Sequence, residues 1–184
     1  MKLVAASVGG PREMSWQGRT ILTSIFKTPV SGRVRVGRLG LDGDEQTDLS
    51  VHGGPDQAVY AYPSEHYAAW RVELPEADLP WGAFGENFST EGLLEGDVRI
   101  GDTFRIGTAM FYVTRPRFPC YKLGARFGRT DMVRLFQQSG RSGFYLAVMR
   151  EGEVGAGDPI ERIERGAPGP TVADLFRRPD DHES

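Results

Sequence analysis

The chain has 184 residues, 39% hydrophobic and 26% charged, with a formal net charge of −3, a globular composition long enough to bury one core without metal or disulfide staples. Its longest apolar run covers six residues, 144–149, where roughly 18 are needed to span a bilayer, so no membrane partner is expected. One cysteine excludes an internal disulfide and any four-thiolate zinc or iron–sulfur site.

Glycine is the compositional outlier, with 24 residues where average usage predicts about 13. Scattered between short apolar runs, these glycines predict many turns and therefore many strands. In chain order, the apolar start at 1–8 stops at Gly9-Gly10-Pro11, too early for a secretory signal, and a cytoplasmic protein is expected. Residues 20–26 alternate Ile21, Thr23 and Ile25 against Leu22, Ser24 and Phe26, and 33–36 alternate arginine with valine, as half-buried strands do. After a strand over 57–62, Ser64 is placed to cap a helix carrying Tyr67, Trp70 and Leu74 on one face. Strands over 98–100 and 103–106 are joined by a reversal at Ile100-Gly101-Asp102-Thr103, and 109–114 follows. Thr130 is placed to cap a second helix, with Met132, Leu135 and Phe136 inward and Gly140 as its stop. Strands over 144–149 and 159–163 come next. Beyond the linker 166–170, Thr171 and Asp174 make a capping-box pattern ahead of Val172, Leu175 and Phe176. The pattern predicts a mainly β, barrel-like fold of antiparallel strands with a few short helices. One domain is expected over 1–165, with 166–184 as linker, short helix and charged tail.

The charge is segregated along the chain. Residues 1–40 hold seven bases and one acid, 41–104 two bases and fourteen acids, 105–150 nine bases and one acid, and 151–184 four bases and nine acids. Two readings stay open: an ordinary solvated surface, or two basic blocks that meet in space as an anion-binding cleft. A nucleic-acid partner is not expected, because the pI is near 5.7 and no binding motif is present.

Chemistry concentrates in Arg115-Pro-Arg-Phe-Pro-Cys-Tyr-Lys122. The two prolines are expected to break the preceding strand and leave Cys120 on a loop, where functional groups gather. Arg115, Arg117 and Lys122 favour its thiolate, which is both nucleophile and soft metal ligand. The alternative is a small buried hydrophobe. Lys27 and the Thr28 hydroxyl suit a phosphate contact, or equally a solvated strand end. His52, in the turn Asp48-Leu-Ser-Val-His-Gly-Gly-Pro-Asp56, sits either at the mouth of a site or in a plain turn. Asn87, in Gly85-Glu-Asn-Phe88, orients a ligand or closes a turn. There is no GxGxxG, phosphate loop or paired-histidine zinc spacing.

Taken in order, Lys27-Thr-Pro29, His52-Gly-Gly-Pro-Asp-Gln-Ala58, Gly85-Glu-Asn87 and Pro116-Arg-Phe-Pro-Cys120 resemble the MOSC domain family, named for the C-terminal domain of molybdenum-cofactor sulfurases, in its YiiM-like branch. The likeness runs from the first residues to about Ile163. It implies a barrel-like fold of mixed and antiparallel strands that holds molybdenum cofactor, a pterin dithiolene ending in a phosphate, with Cys120 as the protein's ligand to the metal. It places Lys27, His52, Asn87 and Arg117 around the cofactor, with Thr28 beside Lys27. The segment from 166 is expected to be the remnant of a helical C-terminal region.

Relatives implied by the resemblance reduce N-hydroxylated compounds, so the expected function is a molybdenum-dependent oxidoreductase acting on small hydroxylamines, amidoximes or N-hydroxylated bases. The cofactor supplies the redox step and the protein positions it. Its electrons are expected from an external donor protein, since the chain has neither cysteines for a cluster nor a nucleotide fingerprint. Two alternatives remain, a sulfur carrier using a Cys120 persulfide and a non-catalytic cofactor-binding module. A homodimer is left open.

Overall fold

The computed structural model describes residues 1–47 and 53–177. The strands are β1 Lys2–Val8, β2 Arg12–Trp16, β3 Arg19–Thr23, β4 Thr28–Pro29, β5 Arg33–Gly37, β6 Gly40–Leu41, β7 Val59–Pro63, β8 Phe88–Glu91, β9 Thr103–Ile106, β10 Ala109–Pro116, β11 Phe144–Arg150, β12 Gly152–Gly155 and β13 Ile160–Glu164. The helices are α1 His66–Glu73, α2 Tyr121–Phe127, α3 Met132–Ser139 and α4 Val172–Arg177.

Eight strands form one mixed sheet in the order β13-β9-β10-β11-β7-β8-β1-β4, antiparallel except between β7 and β8. Two register shifts in the β10–β11 ladder and one between β1 and β8 bend it, as bulges do. The sheet rolls until its ends approach: the Leu3 N–H donates to the Asp158 carbonyl at 2.9 Å and the Gly157 N–H to the Leu3 carbonyl at 2.7 Å. Among the described residues they meet through these bonds and the isolated bridge Lys2–Pro159 rather than a continuous ladder, so the fold is barrel-like without a closed barrel.

Alternating apolar residues fill the inside of the roll, among them Leu3, Phe88, Phe104, Phe111 and Phe144. The small sheet β12-β5-β6 adds Val34, Val36 and Val154 to this core. Each such fully buried side chain contributes about 1.5–3 kcal/mol over remaining in water. A second, aromatic core joins the outer face of the sheet to the helices through Tyr62, Tyr67, Trp70, Phe84, Met132 and Phe136. Val172 and Phe176 dock α4 onto these two cores, and the capping box at its start forms, with the Asp174 N–H donating to Thr171 Oγ1 at 3.2 Å and the Thr171 N–H to Asp174 Oδ2 at 3.0 Å. No helix among the described residues is long and apolar enough to cross a membrane.

Several sequence expectations change. Helix α1 starts at His66 without a side-chain cap, and Ser64 contributes its carbonyl instead, to the Tyr67 N–H at 3.1 Å. Residues 98–100 form no strand, because Asp102 Oδ2 accepts the Arg99 N–H at 3.2 Å and folds the segment into a turn. The strand expected over 20–26 ends at Thr23, opposite Arg12 where its hairpin partner β2 begins, and Thr23 Oγ1 accepts the Ile25 N–H at 3.2 Å. Strand β10 continues through Pro116, which pairs with Phe144. Residues 117–120 then form the expected loop, and Cys120 closes it directly before α2, a helix the sequence did not announce.

Candidate functional site

The first wall of the site is the extended segment 24–27 between β3 and β4. It is clamped by the loop 82–86, and the clamp requires glycine. Gly82 has φ +89°, and a Cβ there would lie 2.9 Å from the Lys27 carbonyl oxygen; Gly85 has φ +84°, and a Cβ there would lie 2.9 Å from Ile25 Cγ1. Both backbones occupy the region that side chains disfavour. The loop is tied by Glu86, fully buried, whose carboxylate accepts the Gly82 N–H at 2.9 Å, the Phe84 N–H at 3.1 Å, the Ser89 hydroxyl at 2.9 Å and the Tyr67 hydroxyl. Burial pushes the Glu86 carboxyl above its ordinary pKa, while these donors pull the other way.

The clamp sends Ile25 and Lys27 into a cleft. Lys27 Nζ pairs with Asp44 Oδ1, the two side chains 9% and 5% exposed. Asp44 is itself held by the Gly9 N–H at 2.9 Å and by Asn87 Nδ2 at 2.8 Å. Asn87 also donates to the Ser7 carbonyl at 3.2 Å and accepts the Tyr60 N–H at 3.0 Å. Both amide hydrogens of Asn87 are therefore engaged within the protein, and the residue acts on the cleft through Asp44.

Opposite stands Arg117, 5% exposed. Its guanidinium lies 5.2 Å from the Tyr60 ring centroid and 4.9 Å from that of Phe136, within cation–π range. Its Nη1 is buried with no hydrogen-bond partner, and it has no carboxylate partner among the described residues. Burial alone disfavours its charge, but the surrounding Tyr60, Tyr145 and Cys120 outweigh this and hold its pKa above the ordinary guanidinium value. Tyr60 and Tyr145 are pushed up by burial and eased by the same arginine.

Lys27, Asn87, Arg117 and Cys120 share this one cleft. Thr28 is exposed in β4, paired with Val8, and does not line it. His52 lies outside the described residues. The sequence reading did not pick out Asp44, Tyr60 or Tyr145, because their roles depend on partners distant along the chain. Lys122, two residues after the cysteine, was noted only as a neighbouring cation and is also a lining residue. The two basic blocks do meet here, bringing Lys27 to Arg117 and Lys122.

Fold and site together define a rolled-sheet domain with a cysteine and several cations around one ligand cleft. The chain belongs to the MOSC domain family, whose model matches residues 48–161. Among relatives, YflK of Bacillus subtilis is 42% identical over 170 residues, 92% of this chain and 76% of that protein. Escherichia coli YiiM is 46% identical over 145 residues, 78% and 65% respectively. A Gibberella moniliformis protein named "Reductase" is 36% identical over 163 residues, 87% of this chain but 29% of its own length. The crystal structure of Geobacillus stearothermophilus YiiM matches with a TM-score of 0.78 at 36% identity, over 95% of this chain and 81% of that one.

The family is one of molybdenum-cofactor-binding domains, and the cleft fits such a group. Among the described residues no cluster of three or more His, Cys, Asp or Glu is present that could hold a metal by itself, and a metal carried by an organic cofactor brings ligands of its own. One thiol suits a soft metal. A buried guanidinium with an unpartnered donor, together with two lysines, suits an anion.

Proposed function

We propose that this chain holds molybdenum cofactor in the cleft and reduces small N-hydroxylated compounds with electrons from a donor protein. The supporting observation is the buried Arg117, whose Nη1 has no protein partner, lining the same cleft as Cys120. Desolvating a guanidinium without pairing it is costly, and an anionic group beside it removes that cost. The cofactor, when bound, supplies two-electron redox chemistry. The net reaction takes R–NH–OH, two electrons and two protons to R–NH2 and water, breaking the N–O bond. The chain's own residues do the rest: Cys120 offers its sulfur, and Lys27 and Arg117 hold the phosphate end. Asp44 and Asn87 fix Lys27, and Lys122 adds N–H donors to the wall.

The test is to express the chain in a host that makes the cofactor, then measure molybdenum and pterin fluorescence and assay turnover of a hydroxylaminopurine or an amidoxime with reduced methyl viologen. Molybdenum near one per chain together with turnover supports the proposal. Cyanide-labile sulfur on Cys120 without molybdenum overturns it in favour of a sulfur carrier. Bound cofactor with no turnover leaves a non-catalytic module.

A further inference from the structure

We infer that the face built by the β2–β3 hairpin and α2 is the docking surface for the electron donor, and that the donor presents clustered carboxylates there. The inference rests on the proposed reductase function and adds where electrons enter.

The face adjoins the reacting end of the cleft, because α2 begins directly after Cys120. The hairpin packs along that helix: Trp16 approaches Gly124, whose Cβ would lie 3.5 Å from the indole Cζ2. Between them runs a groove lined by Trp16, Gln17, Arg19, Ile21 and Tyr121. Tyr121 is 53% exposed and Leu22 is 49% exposed. Trp, Tyr and Arg are the residue types that carry binding energy at protein interfaces.

Charge selects the partner. At the other end of the hairpin, Arg12 and Arg126 share one ring, Phe26, with guanidinium carbons 3.2 Å and 5.0 Å from its centroid. Among the described residues neither forms an ion pair, and Arg126 Nε is buried without a partner. Burial lowers the Arg126 pKa most and the like charge of Arg12 next, while Tyr67, Asp78 and Glu86 offset less. Arg19 adds a third cation with no carboxylate partner among the described residues. Elsewhere Arg33, Arg35, Arg105 and Arg141 each meet a carboxylate. A like-charged pair beside exposed aromatics calls for an acidic protein surface, which would relieve the repulsion and be steered to this face.

The experiment titrates the cofactor-loaded full chain with a flavodoxin, used as an acidic FMN-carrying probe, at several salt concentrations by calorimetry. It also compares turnover driven by reduced flavodoxin with turnover driven by reduced methyl viologen. Binding is expected to weaken about tenfold or more in Arg12→Glu/Arg19→Glu, with a shallower salt dependence. Flavodoxin-driven turnover should fall to match while viologen-driven turnover stays at the wild-type level. Arg126→Gln should act in the same direction, and Arg38→Glu, in a separate groove with Tyr112 and Glu151, controls for net charge. Wild-type binding and flavodoxin-driven turnover in the charge-reversed variants, or no flavodoxin binding at low salt, overturns the inference. A parallel loss of viologen-driven turnover also overturns it and assigns these arginines to the substrate. If the wild type turns over with neither donor, the reductase function itself fails.

Discussion

Cys120 and Lys27 play different structural parts, and substitutions at each are expected to fail differently. Cys120 is half-buried at the entry of α2 and its side chain makes no capping bond to that helix. Cys120→Ala is therefore expected to change unfolding free energy by no more than about 1 kcal/mol while abolishing molybdenum-dependent turnover. Thermal melts with metal analysis check both halves; wild-type turnover would remove Cys120 from the mechanism, and loss of cooperative folding would make it a core residue instead. Lys27 is bound into the architecture. Removing it leaves the Asp44 carboxylate, 5% exposed, with the Gly9 and Asn87 donors as its partners among the described residues, and breaking a buried pair on one side costs about 3–5 kcal/mol. Lys27→Ala should show a loss of this order in urea titration, and Lys27→Ala/Asp44→Asn should recover part of it. A double variant as unstable as the sum of the singles would show that the pair is not coupled.

At the scale of elements, the loop 82–86 decides where the cleft wall sits. Alanine at Gly82 or Gly85 meets a positive φ and a contact of 2.9 Å with the segment 25–27, so each is expected to destabilise by about 1–3 kcal/mol and to lower cofactor occupancy by displacing Lys27. Unchanged stability and occupancy would mean that the wall is held from elsewhere. Glu86 gives the same loop a pH signature. Its folded pKa is raised above the ordinary value of 4.5 by burial, so the native state binds the extra proton, and its contribution is present below that value and lost as pH rises through the raised one. Urea stability of the wild type should decline across that window, whereas Glu86→Gln, less stable because its amide hydrogens face the Gly82 and Phe84 donors, should lack that component. Parallel curves would exclude Glu86 as its source. Readability from sequence follows locality. Helix α3 carries its stop at Gly140 and its stripe within a few residues, and α4 its capping box and stripe, but the cap expected of Thr130 does not form, since α3 follows Asp131 with no side-chain cap bond; β10 alternates over a single run. The order of short motifs, through the family they resemble, implied that Cys120, Arg117, Lys27 and Asn87 lie near one another, and all four line the cleft. What stayed hidden depends on distant partners: Asp44 meets Lys27 across 17 residues, and Asn87 meets Tyr60 across 27 and Ser7 across 80. Helix α2 stayed hidden because Gly124 lies inside it and Pro119 just before it, although that glycine is what lets the Arg129 carbonyl approach, 2.8 Å from where a Cβ would sit.

At the scale of the molecule, charge and electron supply belong together. The basic blocks 1–40 and 105–150, separated by fourteen acids within 41–104, come together at the cleft through Lys27, Arg117 and Lys122 and on its outer face through Arg12, Arg19 and Arg126. If the donor docks on that face as inferred, these cations accelerate the approach of an anionic partner. The same chain carries one cysteine and no glycine fingerprint for a dinucleotide, so under the proposed function its electrons are expected from a partner. Each reduction of an N–O bond consumes two electrons, which have to be replaced before the next turnover. The cofactor-loaded chain alone is therefore expected to show no sustained NADH-driven turnover, and to become active when a reductase system or a low-potential chemical donor is added. The measurement is NADH consumption against amine formed over many turnovers. Continued, stoichiometric NADH oxidation by the chain alone would show that electrons enter without a partner, and the positive face would then need a different explanation.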